Sequence, residues 1–186
     1  MSSKLILVFA GQMGSGKDSA AFYLRDTYGA SIYSFSTMLE DALNRFYLEH
    51  NRDNLVKMSE IMRGAFGQDI MAKTMAQDVA KDANNIIVVS NARRLADVEF
   101  LSKLPNYILC EIYADLETRY NRLVQRGQRT DDKTKTFEEF KADHNRSTEV
   151  SIAELLTHAT ERIDNSSTIE KFHRQLDELI KKRTNK

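Results

Sequence analysis

Three short stretches of the chain are apolar almost without interruption: Leu5–Ala10, residues 86–89 and Tyr107–Tyr113. Runs of this length without polar alternation suit strands covered on both faces, as in a parallel sheet. Two weaker strands are predicted at residues 31–35 and at Glu161–Asp164. Between the runs the apolar period is helical. Leu39, Leu43, Phe46 and Tyr47 fall on one face, as do Leu55, Met58, Met62 and Phe66. Leu116, Tyr120, Leu123 and Val124 repeat the spacing after the third run, and Ile169, Phe172, Leu176 and Leu179 repeat it near the C-terminus. Ser36 and Asp53 stand where N-caps are expected. Alternating strands and helices predict an α/β fold. Residues 127–135, GQRTDDKTK, are polar and aperiodic and read as an exposed loop. Met58, Met62, Met71 and Met75 read as core filler.

Length and composition narrow the picture. A chain of 186 residues with one proline and no linker-like segment fits one domain, 1–186. Its 27 basic residues are balanced by 27 acidic ones, so basic chemistry has to be local, and neither a nucleic-acid track nor a membrane surface is expected. The first apolar run is too short for a signal-peptide core or a membrane span. Cys110 is the only cysteine, and no cysteine or histidine spacing suggests zinc. A cytoplasmic setting is expected, as a monomer or a homodimer.

The chemistry begins where the first run ends. Gly11-Gln12-Met13-Gly14-Ser15-Gly16-Lys17 fits G-x-x-x-x-G-K between a buried strand and a helical pattern. Glycines let successive N–H groups turn into one concavity, and the helix start adds its unpaired N–H groups and positive dipole end. Gly11, Met13, Gly14, Ser15 and Gly16 are therefore expected around nucleotide phosphates, with Lys17 reaching the outermost ones. Asp18 stands where a hydroxyl residue usually ligates Mg²⁺. A carboxylate there can hold the ion directly or through water, and it would repel a phosphate without the metal. Ser19 points about 100° further round the helix. These residues predict ATP and Mg²⁺ as cofactors without naming a reaction.

GSGKDSA together with VVSNARRLADVEFL (88–101) resembles the nucleoside-monophosphate-kinase-like group of P-loop phosphotransferases. The G-K-D pattern is similar to phage-type deoxynucleoside monophosphate kinases and animal-type phosphomevalonate kinases. The R-x-x-x-G at residues 63–67 and the R-x-L-A-x-V-E at residues 93–99 resemble archaeal adenylate-kinase-related and dephospho-CoA-kinase-like proteins. ATERIDNSSTIEKF (159–172) looks like their last strand and adenine-side loop. The resemblance implies a P-loop NTPase three-layer sandwich, its five-stranded parallel sheet flanked by helices on both faces. It implies an acceptor-binding helical region at 36–83, an arginine-bearing lid at 122–150, and transfer of phosphate from ATP to a phosphate-bearing small molecule.

The arginines suit that reading, since planar guanidinium forks hold phosphate oxygens in defined geometry. Arg93 and Arg94 follow a strand end, where ligands sit in open α/β sheets. Arg93 is expected on the acceptor phosphate with Arg94 beside it; Arg63 is either a third acceptor ligand or part of an ordinary helix end. Arg126 and Arg129 are either a transition-state clamp or solvated surface, and Arg122, one turn before Arg126, can join them on the nucleotide. Asn165 either touches the adenine edge or forms a turn. In related proteins an aspartate stands near the end of the third strand; here Ser90-Asn91 does. Asp18 either compensates from the opposite side, or the chain binds nucleotide without efficient transfer.

Overall fold

The computed structural model describes residues 4–126, 136–142 and 147–184. Five strands, β1 (Leu5–Ala10), β2 (Ser31–Ser34), β3 (Ile86–Ser90), β4 (Tyr107–Tyr113) and β5 (Glu161–Asp164), form one sheet in the order β2-β3-β1-β4-β5. Every pairing is parallel. The first strand made is thus the central one, with Leu7 beside Val88 on one flank and Ile108 on the other.

Side chains alternate across a strand, which explains why β1 carries no polar residue. Leu5, Leu7 and Phe9 enter a core shared with Leu24 of α1 (Lys17–Tyr28) and with Phe172 and Leu176 of α9 (Ile169–Thr184). Ile6, Val8 and Ala10 enter the opposite core with Met75 and Val79 of α4 (Ile70–Lys81), Val98 of the short α5 (Leu95–Val98), Leu101 and Leu155. Three layers result, as the resemblance implied.

The remaining helices are α2 (Phe35–Arg45), α3 (Arg52–Phe66), α6 (Leu116–Arg126), α7 (Phe137–Ala142) and α8 (Ser147–Leu156). Two cap assignments shift. Ser34, not Ser36, caps α2 by accepting from Thr37 N–H at 3.1 Å, and Asn51, not Asp53, caps α3 by accepting from Asn54 N–H at 2.9 Å. In both cases the true cap lies two residues earlier; β2 ends directly into α2, and Asn51 directly precedes α3. α2 stops at Arg45, so Phe46 and Tyr47 leave the expected apolar face and stand 67% and 93% exposed; Tyr47 adopts a left-handed conformation. Met71 and Met75 are buried in the core, whereas Met58 and Met62 are half-buried on α3. The segment 127–135, expected as a loop, lies outside the described residues. Among the described residues no helix is long and apolar enough to cross a membrane.

Parallel strands end at one edge. The ends of β1 and β3 bring residues 11–16 and 91–94 there, and the ends of β2, β4 and β5 add residues 35–36, 114 and 165. The connection after β1 runs past β3 to β2, the one after β3 runs back past β1 to β4, and the crevice between β1 and β3, where the two diverge, is where open α/β sheets bind ligands.

Candidate nucleotide and acceptor site

The loop after β1 is shaped by neighbours as much as by its own glycines. Gly14 and Gly16 have φ of 79° and 95°, a region L side chains rarely adopt. A Cβ on Gly14 would lie 2.8 Å from the backbone oxygen of Arg119, and a Cβ on Gly16 would overlap the side-chain amide of Asn165. Gly11 is pressed against the Ile112 carbonyl, which a Cβ would also overlap. Ser15 N–H donates to Gln12 O at 3.2 Å, closing the loop, and Gly16 leads into α1. The Lys17 ammonium lies back across the loop, donating to Gly11 O at 2.8 Å and Gln12 O at 3.2 Å. Asp18 and Ser19 follow on the exposed first turn of α1. The Ser15 hydroxyl is buried with no hydrogen-bond partner among the described residues.

Helix α6 supplies the far wall. Asp115 caps it: its carboxylate accepts from Thr118 N–H and Thr118 Oγ1, both at 2.8 Å. Those bonds, the Thr118 N–H first, hold the Asp115 carboxyl below its ordinary range. Arg119 is buried, its Nε donating to Ala114 O at 3.0 Å and its Nη1 to Met13 O at 3.4 Å, with the guanidinium over the Phe140 ring. Arg122 donates Nη2 to Asn165 O at 2.8 Å and to Asn165 Oδ1 at 3.2 Å. Burial pushes the Arg122 guanidinium below its ordinary value, with the Asp115 charge opposing, and its Nη1 is buried without a hydrogen-bond partner among the described residues. Asn165 is buried as well and donates Nδ2 to Ser15 O at 2.8 Å. Its side-chain amide faces the loop, with Nδ2 held by Ser15 O and Oδ1 by Arg122.

At the end of β3, Asn91 takes a left-handed conformation, φ 65°, and its Nδ2 reaches Asp18 Oδ1 at 3.4 Å. The strand end without an acid therefore faces the first-turn acid directly. Beyond it opens a cavity of about 450 Å³, whose wall includes Arg63, Arg93, Arg94 and Asp97 beside Asn91, with Phe35, Leu39 and Met71 as its apolar part. Arg63 comes from α3, so the cavity gathers residues that are 30 positions apart. Arg63 Nε is buried and unpartnered among the described residues. Its guanidinium is held below its ordinary value by burial and then by the Arg94 charge, while Asp97 opposes this. Arg94 pairs with Asp97, Nη2 to Oδ1 at 2.9 Å.

The structure thus brings Gly11 to Ser19, Arg122 and Asn165 together on one side and Arg63, Arg93 and Arg94 on the other. Arg126 closes α6, its side chain outside the described residues, and Arg129 lies outside them altogether. Two participants were missed from sequence, Arg119 and Asp97. The signal for Arg119 was its spacing: 119, 122 and 126 recur at three and four residues, one face of a helix. Asp97 stands three residues after Arg94, a spacing that signals a helix-start pairing.

Loop, crevice and strand order are those of the P-loop NTPase fold. Solved structures agree at the level of fold: a shikimate kinase from Bacteroides thetaiotaomicron superposes with a TM-score of 0.64 at 15% identity, covering 95% of this chain and 97% of that one. A shikimate kinase from Acinetobacter baumannii in complex with shikimate superposes with 0.58 at 14%, covering 100% and 96%. No family model matches the chain. In sequence it is similar to a UPF0200 protein of Hyperthermus butylicus, 26% identical over 181 residues, 97% of this chain and 96% of the relative. It is also similar to a UPF0200 protein of Methanosarcina barkeri, 28% identical over 177 residues, 94% of each.

Proposed function

We propose that the chain is a cytoplasmic ATP-dependent kinase that moves the γ-phosphate onto a phosphate-bearing small molecule, by preference a nucleoside or deoxynucleoside monophosphate. One observation carries this reading: a glycine loop with its lysine opens at the same sheet edge as an arginine-walled cavity, and Asp18 and Asn91 stand between them. Two anion sites flanking one acidic position are what joining two polyanions requires.

The chain's residues fit the groups this needs. Gly14 and Gly16 supply the left-handed backbone the loop needs, and the Ser15 hydroxyl and Arg122 Nη1, buried with no hydrogen-bond partner among the described residues, are polar groups that a bound phosphate would satisfy. Backbone N–H groups of residues 13–17 and the Lys17 ammonium hold the phosphate tail, Lys17 exchanging its two carbonyl acceptors for phosphate oxygens. Asp18 holds Mg²⁺ directly or through water, and an Asn91 amide turned over offers a carbonyl oxygen to the same ion; the remaining ligands come from phosphate and water. Bound there, the ion neutralises charge on the donor phosphates. Arg63 and Arg93 orient the acceptor, with Arg94 beside them. An acceptor phosphate oxygen forms the new bond to the γ-phosphorus while the bond to the β–γ bridging oxygen breaks and ADP leaves, so no side-chain nucleophile or base is needed. Arg126 and Arg129, in a lid at 122–150, complete the clamp, and 36–83 is the acceptor-binding part of a single domain, 1–186.

Release of ADP, coupled to an optical readout, tests this against nucleoside monophosphates, dephospho-CoA, phosphomevalonate and shikimate. Turnover with a nucleoside monophosphate is expected; turnover with phosphomevalonate keeps the phosphate nucleophile and changes the acceptor, whereas turnover with dephospho-CoA or shikimate, which accept on a hydroxyl, keeps a kinase but overturns the phosphate-nucleophile step. ATP association without acceptor-dependent turnover overturns the kinase reading. It leaves a nucleotide-binding regulator, which the uncharged Asn91 at the strand end favours.

A further inference from the structure

The acid in the wall of the cavity is unaccounted for by phosphate binding. Asp97 is 8% exposed and sits among three arginines where a phosphate is to bind, yet a carboxylate repels phosphate. Its four hydrogen bonds explain its presence. Oδ2 accepts from Arg93 N–H at 3.0 Å and Arg94 N–H at 3.1 Å, which fixes the backbone turn that carries both side chains. Oδ1 accepts from Arg94 Nε at 3.3 Å and Nη2 at 2.9 Å, which fixes the fork of one of them. Arg94 in turn works against the charged form of Arg63 across the cavity, and Asp97 supports it. Without the carboxylate, three guanidinium groups would face one another in a partly buried space with no counter-charge, and they would splay.

We propose that Asp97 is a positioning and specificity-determining residue: it aims Arg93 and Arg94 and trims the cavity to two formal positive charges, the complement of a dianionic phosphate monoester. A singly charged ester or carboxylate leaves one of those charges uncompensated. The inference rests on the kinase reading and goes further, naming the charge state of the acceptor group and the residue that selects it.

Steady-state kinetics with the acceptor found by the panel test it. Asp97→Asn keeps the size and one acceptor oxygen but removes the charge. Its KM for the acceptor is expected to rise about tenfold, with KM for ATP within about twofold of the parent. Asp97→Glu restores a carboxylate and is expected to recover most of the loss. An unchanged acceptor KM overturns the proposal, and so does a parallel rise in both KM values, which marks a merely structural residue. Should Asp97→Asn fail to fold, the unmutated protein still decides. A nucleoside 5′-sulfate, isosteric with the monophosphate but singly charged, should compete with the acceptor at least about tenfold more weakly than a dianionic phosphonate analogue of the same nucleoside. Equal competition overturns the charge argument. If the unmutated protein turns over no phosphate-bearing acceptor, the kinase reading fails and the inference with it; a normal parent with an indifferent Asp97→Asn removes the inference alone.

Discussion

Lys17 is the residue on which the proposed nucleotide site turns, and its surroundings predict what losing it does. Its ammonium donates to the loop carbonyls Gly11 O and Gln12 O, and Lys17 belongs to neither apolar core. Lys17→Ala should therefore lower turnover by at least about a hundredfold, a loss of charge stabilisation at the transferred phosphate, with the melting temperature shifted by a few degrees at most. Turnover and thermal melts on the same sample check both halves. Asp18→Asn removes the carboxylate that faces Asn91, and the Mg²⁺ concentration for half-maximal activity should rise severalfold, read from a metal titration at saturating ATP. Cys110 lies at the other extreme. Burial, then the charges of Glu161 and Glu111, push its thiol up to about 12, so it should resist thiol reagents in the native protein and react once unfolded. At this scale the sequence was legible wherever residue type alone sets the chemistry. The glycines and Lys17 could be read that way; Arg119 and Asp97 could not, because their roles come from partners, Met13 O and the Arg93 N–H among them, that only the fold supplies.

Elements were legible where burial is two-sided and less so where it is partial. β1, β3 and β4 are buried on both faces, and their apolar runs showed them. α3 is different: none of its described side chains is fully buried, so its pattern predicted a helix correctly but overstated how firmly it packs. Phe66, expected on the apolar face, is 65% exposed at its end. α6 illustrates a link between an element's end and the site. Asp115 caps it and α6 carries Arg119 and Arg122, so Asp115→Ala should cost about 1 kcal/mol of stability by denaturant titration. Because the same helix start supports Met13 O and Asn165, ATP affinity should fall with it, which calorimetry on the folded variant would register. Gly16→Ala, which would force a Cβ into the Asn165 amide, should impair ATP association more strongly than Gly29→Ala, whose position has open space but a similar left-handed backbone.

For the molecule as a whole, α/β class and parallel sheet were legible from apolar runs and the three-layer arrangement from resemblance, whereas the strand order and the closure of the site came from neither. The bond from Asn165 to Ser15 O joins positions 150 apart, and no local pattern signals a contact of that range. Charge pairing at the same end of the chain sets the acid limit of the fold. Burial pushes the Glu161 carboxyl up, but hydrogen bonds and charge from Lys182 and Arg183 outweigh it and leave the group below its ordinary 4.5. Asp115 is lowered from 3.8 by its cap bonds. A depressed folded value stabilises fully above the unfolded one and is lost as pH falls through the folded one. Melting temperature should accordingly hold from pH 7 to about 5 and decline below about 4.5, more shallowly in Glu161→Gln, as a pH series of melts would record.

The Asn165 tether also bears on synthesis. The glycine loop is translated well before the side chains that mould it, Arg119 and Asn165, which follow it by a hundred and more codons. A nascent chain stalled before the last strand emerges should be blind to nucleotide, and the capacity to capture it should arrive late and abruptly.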